Sequence, residues 1–131
     1  MKFKIIKTIK QLKKKCEQLW KKACFKRDGR ECQVKRFYPE IPLMHTDTLQ
    51  VDHCFSRADK NLFLEMSNGT VVCSGCNFKH NKKARLLIQK IVQQREGFER
   101  YAQMEATYLT LKGNPNFSKR WWLEQKLKEL K

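Results

Sequence analysis

The chain has 131 residues, with 29 Lys+Arg against 13 Asp+Glu and a formal charge of +16. That length is one domain, or a small domain with helical arms, and the charge selects a polyanion, nucleic acid first, as the partner. Hydrophobic residues make up 40%, which excludes full disorder, while no apolar run nears the ~18 residues of a membrane span.

The lysine-rich start lacks the apolar stretch and cleavage site of a secretory signal, so a cytoplasmic location is expected. The six cysteines then read as thiols or metal ligands rather than as a disulfide framework. Charge is segregated. Residues 1–36 hold fourteen bases and three acids, residues 37–77 two bases and five acids, and residues 78–131 thirteen bases and five acids. Cationic flanks around a mildly acidic centre suit a nuclease, with surface for phosphates and oxygen ligands for a divalent metal; solvated basic helices would look the same.

Ile5, Ile9, Leu12, Cys16, Leu19 and Ala23 recur at spacings of four and three, the face of an amphipathic helix. It is expected from Lys4 to Lys26, before the Asp28-Gly29 turn signal, with Trp20 favouring packing and lysines on its other faces. Residues 1–27 are thus a basic N-terminal helix. Pro39 and Pro42 mark a loop. Leu49–Phe55 alternates and Thr70–Cys73 is β-branched, together a hairpin. A helix is expected from Asn77, with Leu87, Ile88, Ile91 and Val92 as its apolar stripe and Gly97 as its break. Residues 28–95 form the expected core. Residues 96–131 form a helical extension: one helix through Tyr101 and Leu109 ends at Gly113-Asn114-Pro115, and a last one follows Ser118 as N-cap. The latter carries Trp121, Trp122, Leu123, Leu127 and Leu130, its tryptophans either core or stacked on bases. The fold class is α+β and mostly helical, with one hairpin.

The chemistry concentrates in residues 51–79. A strand, a loop, a strand and a helix bring Asp52, His53 and Asn77 together. A carboxylate and an amide oxygen can hold a hard cation such as Mg²⁺. A histidine beside them can deprotonate water near neutral pH.

The segments VDHCFSR and SNGTVVCSGCNFKH resemble the HNH endonuclease motif in its ββα-metal form, as found in small, often phage-encoded proteins. The resemblance covers about residues 24–85 and rests on Asp52-His53, Ser56-Arg57, Asn68 and Cys73-x-x-Cys76-Asn77. It implies a ββα-metal core with a long N-terminal helix before it and two or three helices after it. It further implies one divalent cation, Mg²⁺ or Mn²⁺, and hydrolysis of DNA phosphodiester bonds. In that scheme His53 is the general base within the metal site, Asp52 and Asn77 are metal ligands, and Asn68 fixes the loop that orients His53. Asn61 competes with Asn68 for that place, and Asn68 has the better distance to Cys73. Arg57 suits the scissile phosphate, and Lys79, His80, Lys82 and Lys83 are the candidate nucleic-acid contacts. Branched DNA and RNA stay open as substrates. Two other readings remain: a non-catalytic nucleic-acid-binding module on the same fold, and, more weakly, a thiol-redox enzyme built on Cys73 and Cys76.

HNH proteins often hold a structural Zn²⁺ with two Cys-x-x-Cys pairs. Here Cys73 and Cys76 make one pair, but Cys32 is followed three residues on by Lys35, so the other pair is broken. Cys24, His45 and Cys54 are the candidate fourth ligands, and no spacing selects one. Without zinc, Cys32, Cys73 and Cys76 are small apolar fillers, as Cys16 is expected to be on its helix face.

Overall fold

Thr8 starts the first helix, because its hydroxyl accepts from Gln11 N (3.1 Å) while the Gln11 side chain accepts from Thr8 N (2.8 Å). This reciprocal cap satisfies two otherwise orphaned donors. The computed structural model describes residues 7–55, 62–77, 81–110 and 116–131. Within them α1 spans Ile9–Asp28, with Thr8 at its N-cap; the expected start at Lys4 lies outside the described residues. Leu12, Cys16, Trp20, Cys24 and Asp28, each four apart, are its buried face. A short α2 (Gln33–Phe37) and a loop lead to strand β1 (Leu49–His53). A 3-10 turn at Met66–Asn68 runs into β2 (Gly69–Cys73). Helices α3 (Lys82–Glu96), α4 (Phe98–Thr110) and α5 (Arg120–Leu130) follow. No described helix is long and apolar enough to cross a membrane.

The strands pair antiparallel, with Val51 opposite Val71 and His53 opposite Gly69. Alternation puts successive side chains on opposite faces. Val51 and Val71 join α1, Phe63, Phe117 and Leu123 in one core cluster, while Val72 joins Val34, Ala84 and Ile88 in another. The hairpin is therefore a thin wall between α1 with α5 on one side and α2 with α3 on the other. The expected apolar stripe of α3 is buried in full. Cys16 is buried as expected, and its thiol bonds the Leu123 carbonyl of α5 at 3.4 Å.

Three boundaries between β1 and α5 differ from expectation, each for a polar reason. Strand β1 stops at His53 rather than Phe55, since Cys54 N bonds the Asn68 carbonyl and Phe55 N the Asn68 side chain. Helix α3 begins at Lys82 rather than Asn77, because Asn81 Oδ1 caps Ala84 N at 3.1 Å. Ser118 does not cap α5; its hydroxyl accepts from Lys13 Nζ at 2.7 Å, and Lys119 holds the cap position. Trp121 is 60% exposed, outside the core, whereas Trp122 packs against the first cluster. Ser56, Arg57, Asn61, Lys79, His80 and Gly113-Asn114-Pro115 lie outside the described residues.

Candidate metal centre and adjoining groove

Cys73 ends β2, and the turn Ser74-Gly75-Cys76 folds back beneath the loop before β1. Ser74 N bonds the Thr48 carbonyl at 2.8 Å and Gly75 N bonds Thr46 Oγ1 at 3.3 Å. Gly75 is required there, since a Cβ would collide with the Met44 carbonyl. This zipper carries His45 onto the cysteines. Its Nδ1 lies 3.5 Å from Cys73 Sγ and 3.4 Å from Cys76 Sγ, and Cys32 Sγ lies 3.8 Å from Cys76 Sγ. All four ligand atoms are within 4.8 Å of one another. A tetrahedral Zn²⁺ with Zn–S of about 2.3 Å and Zn–N of about 2.0–2.1 Å has edges of about 3.8 Å between sulfurs and about 3.5 Å between sulfur and nitrogen. Cys32, His45, Cys73 and Cys76 are thus positioned to bind a metal ion such as zinc.

Their electrostatics agree. Burial alone would raise the Cys73 thiol, but bonds from the Thr46 backbone, His45 and Cys76 bring it down to about 6. Cys76 is pushed up, by burial and by its facing cysteines Cys73 and Cys32. The cluster therefore already favours a thiolate, the form that binds metal. The other two candidates for fourth ligand lie elsewhere. Cys24 rests on Met66 Sδ at 3.9 Å, and Cys54 belongs to a separate cluster with Tyr101 and Met104. Burial pushes each of these thiols up to about 11.

Asp52, His53 and Asn77 line one open groove of about 1050 Å³, over β1 and between α1 and α3 with α4. Being neighbours on a strand, Asp52 and His53 take different environments. Asp52 turns toward α3, where Arg85 Nη1 donates to both carboxylate oxygens (2.6 and 2.8 Å) and Nη2 to the Cys54 carbonyl (3.0 Å). Burial pushes the Asp52 carboxyl above its ordinary range, with Arg85 pulling against it. Asn77 Nδ2 donates to Gln50 Oε1 at 2.6 Å, so Asn77 is held by β1 and is not the helix cap. The donor set of Asp52 and Asn77, a carboxylate and an amide oxygen, fits a hard cation. Each carboxylate oxygen has two lone-pair sites, so Asp52 can serve a metal and Arg85 together. Among the described residues the charged groove lining is Glu17, Asp52 and Glu105 against Lys21 and Arg85, an acidic balance within a chain of charge +16.

His53 turns toward α1. Its ring stacks on Trp20 (centroids 4.4 Å) and Phe63 (4.8 Å). Nε2 lies 3.2 Å from the Phe63 carbonyl. A carbonyl only accepts, so this contact places the neutral ring's proton on Nε2 and its basic lone pair on Nδ1.

Asn68 is fully buried and staples the segment between the strands. Its Oδ1 accepts from Phe55 N (2.7 Å), and its Nδ2 donates to the Phe55 (3.1 Å) and Leu62 (3.0 Å) carbonyls. It touches the carbonyl next to the one that holds His53, a positioning arrangement rather than a reacting one. Other helices grip the same loop. Arg27 donates to the Met66 carbonyl at 2.7 Å, Arg95 to the Ser67 carbonyl at 2.9 Å, Arg100 to Ser67 Oγ at 3.1 Å and Lys126 to Glu65 at 3.0 Å. Lys82 and Lys83 are exposed on the first turn of α3.

The sequence did not disclose the contact of Arg85 with Asp52 or of Trp20 with His53, and it did not select His45. Arg85, Gln89 and Gln93 recur at four, opposite the apolar stripe, and all line the groove; that periodicity was the available signal. Comparison with protein-family models, curated proteins and solved structures finds no match.

Proposed function

We propose that the chain is a metal-dependent endonuclease of the HNH type, hydrolysing DNA phosphodiester bonds in the β1 groove. The observation that carries this reading is that Asp52, His53 and Asn77 line one groove, whose described lining has an acidic balance in a strongly basic protein. Such a groove repels phosphate unless a cation enters with it, while the basic exterior attracts the polyanion. His53 Nδ1 takes the proton of an attacking water, and the Nε2–H bond to Phe63 keeps that nitrogen basic. Asn68 and the gripped loop hold the Phe63 carbonyl in place. Asp52 and Asn77 would hold a Mg²⁺ or Mn²⁺ ion, which when bound would supply charge neutralisation at the phosphate. Zinc at Cys32, His45, Cys73 and Cys76 ties α2, the β1 approach loop and the end of β2 together, a structural role.

The test is cleavage of supercoiled plasmid with Mg²⁺ or Mn²⁺, wild type beside His53→Ala, with EDTA as control. Nicked or linear product from the wild type alone, abolished by EDTA, supports the reading. A second reading, a non-catalytic nucleic-acid-binding module, is favoured by one observation: Arg85 already neutralises Asp52. It predicts salt-sensitive binding without cleavage of plasmid or branched DNA.

A further inference from the structure

Trp20 sits midway along α1, fully buried, in a stretch that reads by sequence as a basic arm. Two of its contacts converge on His53. The indole face stacks on the imidazole at 4.4 Å with 18° between planes. The indole Nε1 donates to the Glu65 carbonyl at 2.8 Å. Glu65 lies two residues from Phe63, whose carbonyl is bonded to His53 Nε2 and whose ring covers the imidazole at 4.8 Å. One side chain thus touches the histidine directly and anchors the loop that supplies its carbonyl. The hairpin is cut to admit it. Gly69 is paired with His53 across the strands, and a Cβ there would come within 2.6 Å of the Trp20 ring and of Cys24 Sγ.

We propose that Trp20 is a positioning residue for His53, fixing the plane of the imidazole and, through Glu65 and Phe63, keeping its proton on Nε2. The claim about geometry stands by itself; its catalytic consequence rests on the endonuclease reading. A buried tryptophan in a helix serves packing in any case, so the test must read the histidine. Trp20→Phe keeps a ring against His53 and loses the Glu65 bond. Trp20→Leu loses both.

The experiment is ¹⁵N NMR of histidine-labelled full chain at a pH where the imidazole is neutral, with His53→Ala assigning the resonance, beside plasmid cleavage by the same variants. Wild type is expected to show a single Nε2–H form with ring-current-shifted protons. Trp20→Phe should retain most of the ring-current shift and show partial averaging of the two nitrogen resonances. Trp20→Leu should lose the shift and average further, with kcat lower by about ten- to a hundredfold, the range for misplaced catalytic groups, and KM changed less than kcat. Backbone amide spectra of α3 and α4 establish that each variant is folded. If Trp20→Leu does not fold, Trp20→Phe alone decides. A folded Trp20→Phe with the wild-type tautomer, or a folded Trp20→Leu with the wild-type tautomer and ring-current shift, overturns the proposal. Failure of the wild type to cut DNA overturns the endonuclease reading instead, and leaves the NMR result to decide on Trp20.

Discussion

Removing the metal from the Cys32, His45, Cys73 and Cys76 centre should loosen three segments at once. The site joins α2, the loop before β1 and the end of β2, segments that come from distant parts of the chain. A ligand that binds only the folded chain stabilises by about 2.7 kcal/mol when free at a hundredfold excess over its Kd. Unfolding entropy of about 2.1 cal/mol/K per residue converts this, for a chain of this length, to about 10 °C in Tm. The assay is calorimetry of reduced protein with one equivalent of Zn²⁺ and after exhaustive chelation, with metal content measured in parallel. Co²⁺ substitution should give the intense visible bands of a tetrahedral thiolate site. His45→Ala should weaken the site and remove much of the Tm difference, while Cys54→Ser should retain one metal per chain. Protein that retains no metal after purification in zinc, and melts identically with and without it, refutes the reasoning.

Asn68→Ala strips three bonds from buried backbone groups and should cost about 3 kcal/mol or more, measured by urea unfolding; a loss below about 1 kcal/mol contradicts the staple. Gly69→Ala should destabilise by about 1–3 kcal/mol through overpacking against Trp20 and Cys24, whereas Gly29→Ala meets no neighbour and tests backbone conformation alone. Asp28 is held below its ordinary range; burial opposes this, but bonds from Arg27 and Val71 N outweigh it. Its contribution should be complete above the unfolded carboxyl range near pH 4 and be lost as pH falls through its lower folded value. Asp28→Asn should accordingly flatten the acid limb of the stability curve, and an unchanged limb counts against it. DNA binding should fall steeply with salt as several cations release counterions, seen in fluorescence anisotropy; a flat response dissociates the basic flanks from binding.

The parts of this molecule that sequence made legible are those written in apolar periodicity or in short contiguous motifs. Leu87, Ile88, Ile91 and Val92 are buried together because a stripe specifies a helix face wherever that helix lands. Cys32, Cys73 and Cys76 come together as the knuckle pattern suggests. His45 could not be chosen over Cys24 or Cys54, because what selects it is a loop zipper through Thr46, Thr48 and Gly75 that no ligand spacing encodes. Arg85 belongs to no motif, and only the hairpin's twofold alternation reveals that Asp52 turns toward it. The helix start slipped from Asn77 to Asn81 because two asparagines compete for the cap, and Gln50 holds the first. The motif resemblance supplied roles for Asp52, His53 and Asn77 that the geometry accommodates and that cleavage assays must decide.

The pairing of α1 with α5 also governs how the molecule is assembled over time. Cys16 meets the Leu123 carbonyl across a sequence separation of 107 residues, and Lys13 meets Ser118 across 105. Joining segments so distant along the chain is slow, because closure entropy is spent before the contact returns anything. During vectorial synthesis the apolar side of α1 stays without its α5 partner until residues 117–130 leave the ribosome. Trp20 is seated on that side. The core around α1 is therefore among the last features to close, and a nascent chain carries its basic N-terminal helix well before that core is complete.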